Sequence, residues 1–164
     1  MQTQSVDIFL IVRFLHAVFG MAWWGTVFFI VFVLTGSLER LDSETLKKIA
    51  TVIYPRIYNL TTLVSSFTIT LGALSALLYS GGSLGVFLTP RGAILASGSV
   101  TGLSVYVAHL TVERKERSVL RVLAQMENPE TQGSFLKDMK IIPRVGFILL
   151  TYTILSMVYY SLGI

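Results

Sequence analysis

Charged residues are confined to a few short segments of this chain, and they leave four long uncharged stretches between them. These stretches cover residues 14–38, 57–90, 92–112 and 145–164. Each is close to, or longer than, the roughly 20 residues that an α-helix needs to cross a hydrocarbon core of about 30 Å. With 53% hydrophobic and only 13% charged residues, the composition also differs from that of a soluble domain. We therefore predict an all-α integral membrane protein.

The uncharged stretches predict one transmembrane domain over residues 1–164, folded as a four-helix bundle. The expected spans are about 6–36, 55–80, 92–112 and 142–163. Helical periodicity outside the spans predicts two amphipathic helices on the cytoplasmic side, at about 42–51 and 113–126. The first of these is expected to lie along the membrane surface, because Asp42-Ser43-Glu44 has the acid-first pattern of a helix start.

Basic residues are distributed unevenly between the two sides of the predicted bundle. Of the 13 Lys and Arg residues, all except Arg13 and Arg91 belong to the first and third connections and the adjoining helix ends. The positive-inside rule then predicts that both termini face the outer side, with the Gly-rich segment 80–85 as an outer hairpin. The same asymmetry accounts for the net charge of +4 without a nucleic-acid partner. The expected surroundings are the lipid bilayer of a cell membrane.

His16 is the most specific chemical feature, because a histidine inside an apolar span needs either a hydrogen-bond partner or a function. At about 100° per residue, Gly20 and Trp23 share its helix face, and Arg13 lies one turn before it. This stripe suits haem b: the imidazole binds the iron, Gly20 admits the flat ring, Trp23 forms a wall, and Arg13 pairs with a propionate. The alternative is a histidine that only hydrogen-bonds to a Ser, Thr or Tyr of a neighbouring span.

The third span carries the other histidine and a row of small residues. Gly98, Gly102 and His109 align on one face, and the Gly-x-x-x-Gly spacing is typical of close helix packing in membranes. This seam is also a candidate surface for a homo-oligomer. His109 either binds a second haem or is an ordinary interfacial histidine, and its expected hydrogen-bond, propionate or proton partners are Tyr54, Tyr58 and Arg144.

Depth along the helices limits which residues can act together. At 1.5 Å per residue, His16 lies about 12 Å below the outer edge and His109 about 25 Å below it. One iron is therefore not expected to bind both. Met157, about 9 Å below the same edge, is a geometrically allowed second ligand for His16, although a lone Met usually only packs. The remaining predicted site residues are Tyr106 and Tyr159 as walls, and Arg91 and Arg144 as propionate or headgroup partners.

The string Leu15-His16, followed by Trp23, Gly25 and Phe29, resembles a first-helix signature, His-x6-Trp-x-Gly, of small membrane families associated with haem and copper. These include the HemJ-type protoporphyrinogen oxidases and the CopD-like domains. In the HemJ-type proteins the first-helix histidine is understood as a haem ligand, and the resemblance places that role on His16. The segment from Leu38-Glu39-Arg40 to Ile53-Tyr54-Pro55, followed by an apolar span that contains Gly72, also resembles their connection into the second helix.

The resemblance covers about half of the chain, and one departure limits what it implies. The HemJ-type oxidases carry a lysine in the third helix, whereas this chain has none between Arg91 and Lys115. The resemblance therefore implies haem binding more strongly than oxidation of a porphyrinogen. Copper handling is disfavoured, because the five Met residues form no cluster and cysteine is absent. The lack of cysteine also excludes disulfides and covalently attached haem.

The sequence thus predicts a membrane b-type haem protein that acts in electron transfer or in haem- or porphyrin-linked oxidoreduction. The expected cofactor is haem b, with one haem at His16 and room for a second at His109. The expected partner is a membrane quinone or another redox protein. The competing prediction is a non-enzymatic small membrane subunit or transporter, including one that handles copper, in which the histidines only form hydrogen bonds. Hydrolytic catalysis is disfavoured because no Ser-His-acid or paired-carboxylate pattern lies within the spans.

Overall fold

The computed structural model describes the backbone of residues 2–38, 40–125 and 129–162, and the side chains of 7–38, 40–115, 137 and 140–162. This part of the chain is helical throughout apart from short turns, as predicted. The segments in order are α1 (Gln2–Phe29), a π-helical turn (Ile30–Leu34), α2 (Thr35–Leu38), α3 (Ser43–Lys48), a second π-helical turn (Ile49–Ile53), α4 (Tyr54–Ser80), a 3₁₀ turn (Leu84–Leu88), α5 (Pro90–Gln125) and α6 (Pro129–Leu162).

Four helical stretches are long and apolar enough to cross a membrane, the number that the sequence predicts. They are Asp7–Leu38, Ser43–Ser80, Pro90–Lys115 and Lys140–Leu162. Large side chains such as Phe14, Met21 and Ile148 are exposed around the bundle, as expected for helices whose outer surface faces lipid. The hairpin between the second and third spans begins at Gly81, whose φ of 57° favours glycine and ends α4.

The helical stretch that contains the second span begins well before residue 55. A helix starts at Ser43 with Asp42 as its N-cap, as predicted, but it is not separate from the span, because α3, the second π turn and α4 follow one another without a break. The wider π turn directly precedes Pro55, which has no N–H and disturbs the usual hydrogen-bond ladder, so the chain passes the proline while remaining helical. Leu46 is buried against Leu38, which fixes α3 to the end of the first span.

The third helix continues past the membrane span, as predicted, and α5 reaches Gln125. The predicted ends at residues 126 and 163 lie outside the described residues. The apolar part of the fourth helix starts at Lys140, close to the predicted span start at about 142, but the helix itself starts earlier, at Pro129. Proline suits the first turn of a helix, and the additional helical residues 129–141 are too polar to be recognised from hydropathy. Pro143 lies within α6.

Consecutive spans run antiparallel, so both ends of the described chain lie at the same end of the bundle. We call this the hairpin end, since the turn at Gly81 also lies there, and we call the opposite end, with the basic connections, the charged end. Helix α1 packs mainly on α4, and α5 packs mainly on α6. One buried cluster, which includes Leu38, Tyr54 and Tyr58, fills the charged end. A second cluster lies between the four helices around Trp23.

Candidate functional site

A cavity of about 720 Å³ lies between the four long helices, toward the hairpin end. Its wall is mostly apolar, and α1, α4, α5 and α6 all contribute to it. The volume is within the range of about 300–1,000 Å³ that is typical of small-molecule and cofactor sites. Six residues that the sequence analysis assigned to a cofactor site line this cavity, namely Arg13, His16, Gly20, Trp23, Gly102 and Met157.

His16 faces the cavity with one ring nitrogen already engaged. Its Nδ1 lies 2.8 Å from the backbone oxygen of Thr68 on α4. A carbonyl oxygen only accepts hydrogen bonds, so Nδ1 carries the proton and donates it, which leaves the lone pair on Nε2. The partner is a main-chain atom rather than the Ser, Thr or Tyr side chain that the sequence analysis considered as the alternative.

The imidazole of His16 lies directly against the backbone of Gly72. A Cβ atom at position 72 would come within 2.7 Å of Cε1 and 3.0 Å of Nδ1 of the ring. Glycine is therefore needed at 72 for the ring to occupy this position. At Gly20, by contrast, an added Cβ would make an ordinary contact of 3.7 Å with the Thr68 methyl group. The close approach of a ring to a backbone therefore occurs at Gly72 rather than at the predicted Gly20.

The two adjacent tryptophans of α1 have different environments. Trp23 is 3% exposed and forms part of the cavity wall, where it packs with Val64 of α4 and Val105 of α5. Trp24 also lines the cavity, and its Nε1–H donates to Thr151 Oγ1 of α6 at 3.0 Å. The first and fourth spans are thus joined by a polar contact beside the cavity.

Aromatic and basic side chains surround the cavity near the hairpin end. Tyr79 of α4 meets Tyr160 of α6 edge-on, with the ring centroids 6.2 Å apart. Arg13 lines the cavity here. Arg91 is not among the lining residues. This end therefore has positive charge and hydroxyl groups that suit an anionic group on a ligand.

His109 and several other predicted site residues lie outside the cavity. Tyr106 is not among the lining residues, and its hydroxyl is 2.9 Å from Ser66 Oγ. Tyr159 is 39% exposed, and Arg144 at the charged end is also exposed. Tyr106 and Tyr159, predicted as walls of the cofactor site, are therefore not among the residues that line this cavity.

His109 belongs to a separate polar cluster at the interface of α4 and α5. Its Nε2 is 2.9 Å from Thr62 Oγ1, and the Thr62 hydroxyl donates to Glu113 Oε2 at 2.6 Å. The ring of Tyr58, one of the three partners expected for His109, lies nearby with its centroid 6.1 Å from the imidazole centroid. Thr62 and Glu113 were not expected as partners of His109, and the spacing of residues 109 and 113 was the only sequence signal for the second of them.

The two histidines contact different levels of α4. His16 bonds to Thr68, and His109 bonds to Thr62. Six residues of α-helix correspond to about 9 Å along the axis. The two histidines therefore belong to separate sites. His109 lies outside the cavity, so we do not propose it as an iron ligand.

The Gly-x-x-x-Gly seam of the third span packs within the chain. A Cβ at Gly98 would lie 2.7 Å from the Ser156 Cβ, and one at Gly102 would lie 3.2 Å from the Thr153 methyl group. In addition, the Thr153 hydroxyl donates to the Gly98 oxygen at 3.3 Å. The glycine face is thus covered by α6, so it is not available as the surface of a homo-oligomer.

Among the residues with described side chains, no group of three or more His, Cys, Asp and Glu could hold a metal ion. An iron held in a porphyrin differs, because the protein supplies only the axial ligands. His16 is such a donor in the cavity, and Met157 lines the same cavity from α6. Comparisons with protein-family models, curated proteins and solved structures found no match to this chain.

Proposed function

We propose that the cavity binds one haem b, with His16 as an axial ligand, and that the protein acts in electron transfer or a coupled oxidoreduction in the cell membrane. The observation that carries this proposal is the contact of 2.8 Å between His16 Nδ1 and the Thr68 oxygen. It leaves the Nε2 lone pair on a side chain that lines the cavity. Imidazole ligands in metalloproteins are commonly oriented in this way, and the hydrogen bond makes them better donors.

The other residues of the cavity suit the remaining needs of a haem. Met157 offers a thioether as a second axial ligand, and Trp23 belongs to a buried apolar wall that excludes water. Arg13 supplies a guanidinium for a propionate carboxylate. Haem, when bound, would supply an iron that alternates between the ferrous and ferric states. The protein's own part is then to orient His16, exclude water and balance the charge of the propionates.

A partner dissolved in the membrane fits this function best. Large apolar side chains are exposed on every span, so a quinone can approach the bundle through lipid, as can the membrane part of another redox protein. The distribution of Lys and Arg supports a placement with both termini on the outer side and the charged end inside. In that placement the hairpin end of the bundle, where Arg13 lines the cavity, faces outward.

The decisive experiment is an absorbance spectrum of the purified protein after expression with ample haem. We expect a Soret band that shifts on reduction with dithionite. His16→Ala should abolish the band, whereas His109→Ala should retain it. The two variants are matched, because each removes a half-buried imidazole from a membrane helix. A colourless wild-type protein would contradict haem binding, and a band lost only in His109→Ala would contradict the choice of ligand.

A second function is favoured by the same hydrogen bond, because His16 bonded to Thr68 also ties α1 to α4. In that case the protein is a non-enzymatic membrane subunit or transporter, and the cavity holds an apolar molecule such as a lipid tail. The two functions differ in the effect of adding haem to purified protein. Haem should raise the unfolding temperature of wild type but not of His16→Ala if the haem proposal holds. An equal response of both proteins would favour the non-enzymatic function.

A further inference from the structure

The cluster around His109 contains an ionisable pair that the haem proposal does not use. Glu113 is only 8% exposed, although it lies in a segment that is long and apolar enough to cross a membrane. Its Oε2 lies 3.7 Å from His109 Nε2 and accepts a hydrogen bond from Thr62. Ionisable groups at such positions are costly, and in membrane proteins they commonly mark paths for protons or ions.

The orientation of the hydrogen bonds in this cluster allows a proton to pass. The Thr62 hydroxyl donates its only proton to Glu113, so at its contact with His109 it must accept. His109 therefore carries its proton on Nε2. A hydroxyl that accepts from one ionisable group and donates to another is the smallest unit that can relay a proton.

A second polar contact continues from the cluster toward the cavity. The hydroxyls of Ser66 and Tyr106 are 2.9 Å apart, again between α4 and α5. They lie about one helical turn, or about 5 Å along the helix axis, from the His109 contact. A water molecule that bonds to both contacts would complete the connection. One further turn along α5, Gly102 lines the cavity.

We propose that His109, Thr62 and Glu113 form a proton-relay site, and that the Tyr106 and Ser66 pair is its next step toward the cavity. A proton added at His109 Nδ1 lets the Nε2 proton pass to Thr62 Oγ1. At the same time the Thr62 hydroxyl proton passes to Glu113 Oε2. One proton is taken up, one carboxylate is neutralised, and the imidazole ends as the Nδ1–H tautomer. The reverse steps deliver a proton from Glu113 to the Nδ1 side.

The surroundings of the relay supply further titratable and charged groups. The rings of Tyr58 and His109 are close, and the cluster lies nearer to the charged end than the cavity does. The titratable and charged groups that α4, α5 and α6 carry at this level and at the charged end include Tyr54, Tyr58, Tyr106, Lys115, Lys140 and Arg144. The proposal does not need any of them to change protonation, because the transfer is complete within the three residues.

Nitrogen NMR of the full chain in lipid nanodiscs, labelled with ¹⁵N at histidine, tests the relay without haem. The chain has only 2 His, and the spectrum distinguishes the Nε2–H tautomer, the Nδ1–H tautomer and the imidazolium ion. On acidification between about pH 9 and pH 4, we expect His109 to change from the Nε2–H to the Nδ1–H tautomer. Glu113→Gln and Thr62→Val should each abolish this change, because the first removes the proton acceptor and the second removes the hydroxyl.

Matched variants separate a relay from a structural contact. Thr62→Ser keeps the hydroxyl and should keep the tautomer change. Thr61→Val removes the neighbouring hydroxyl, which is more deeply buried than that of Thr62 and bonds to Ile57 O of its own helix, and it should have no effect. His16 should keep its Nδ1–H signal in every variant, as a control for folding. The proposal is overturned if His109 keeps one tautomer, if it becomes imidazolium directly, or if Thr62→Val behaves like Thr61→Val.

Discussion

The hairpin half and the charged half of the bundle consist of the same helices but are filled differently. In the hairpin half the helices enclose the cavity beside His16, and tight contacts are made at glycines such as Gly72. In the charged half Leu38 and Tyr54 are each 1% exposed, within a cluster of packed side chains. From this contrast we predict that stability depends mainly on the charged half, whereas ligand binding depends on the hairpin half with its ligand-sized space.

The largest effect on stability is therefore expected at Leu38. Leu38→Ala removes a buried side chain from the charged half and should lower the free energy of unfolding by about 2–5 kcal/mol. Leu103→Ala is the contrasting variant in the hairpin half, because Leu103 lines the cavity and is 49% exposed. It should change the unfolding free energy by no more than about 0.5 kcal/mol. Denaturant titration in mixed micelles measures both values.

This pair of variants tests directly whether the two halves contribute differently to stability. Equal losses at the two positions would mean that the hairpin half carries as much of the stability as the charged half. The cavity would then be a gap in a uniformly packed core rather than a region set aside for a ligand.

The next effect is expected in the hairpin half, at Gly72. A Cβ there would overlap the His16 ring, so Gly72→Ala should displace the imidazole from Thr68 and cost about 1–3 kcal/mol. It should also weaken or abolish the proposed Soret band. Gly25→Ala is the control, since nothing lies within 4 Å of a Cβ at that position. That change should be neutral or stabilising by up to about 1 kcal/mol.

Nitrogen NMR of the two histidines shows whether the effect of Gly72→Ala is confined to the hairpin half, because His16 and His109 report on different halves of the bundle. Gly72→Ala should change the His16 signal and leave the His109 signal as in wild type. If both signals change, the two histidine sites are coupled through α4 and the halves do not behave independently.

The four spans could be predicted from the sequence because they depend on a property of each segment alone, its lack of charge over a membrane-crossing length. The start of α6 at Pro129 could not be predicted in this way, because a polar extension of a helix has no hydropathy signal. Pro55 indicated a helix start, but the preceding π turn keeps the chain helical through that region. Local patterns thus identified the elements better than their ends.

Helical periodicity on α1 placed Arg13, His16 and Trp23 on one face, and all three line the cavity. It could not identify Thr68 and Gly72 as the residues that hold His16, because that depends on how far α1 slides along α4. In the same way, the position of α5 along α4 determines that His109 contacts Thr62. Such pairings depend on packing between helices, which a single sequence does not specify.

The smallest effect is expected at Asp42, at the start of α3 in the charged half. The backbone N–H of Thr45 donates to Asp42 Oδ1 at 2.9 Å, and the Thr45 hydroxyl donates to Oδ2 at 2.7 Å. These hydrogen bonds hold the pKa of the carboxyl below its usual value. Since the folded-state pKa is lowered, the cap stabilises fully above the unfolded pKa of about 3.9 and weakens as the pH falls through the lower folded value.

Two substitutions at position 42 separate the cap from its charge. Asp42→Asn keeps a side-chain oxygen that accepts hydrogen bonds, so α3 should start at the same place with no such dependence on acid. Asp42→Ala removes the acceptor at every pH. Hydrogen exchange of the Thr45 amide should therefore accelerate in acid in wild type relative to Asp42→Asn, and be fast throughout in Asp42→Ala. If all three proteins exchange alike, α3 is held by the packing of Leu46 against Leu38 rather than by its cap, and the charged half is even more dependent on buried side chains.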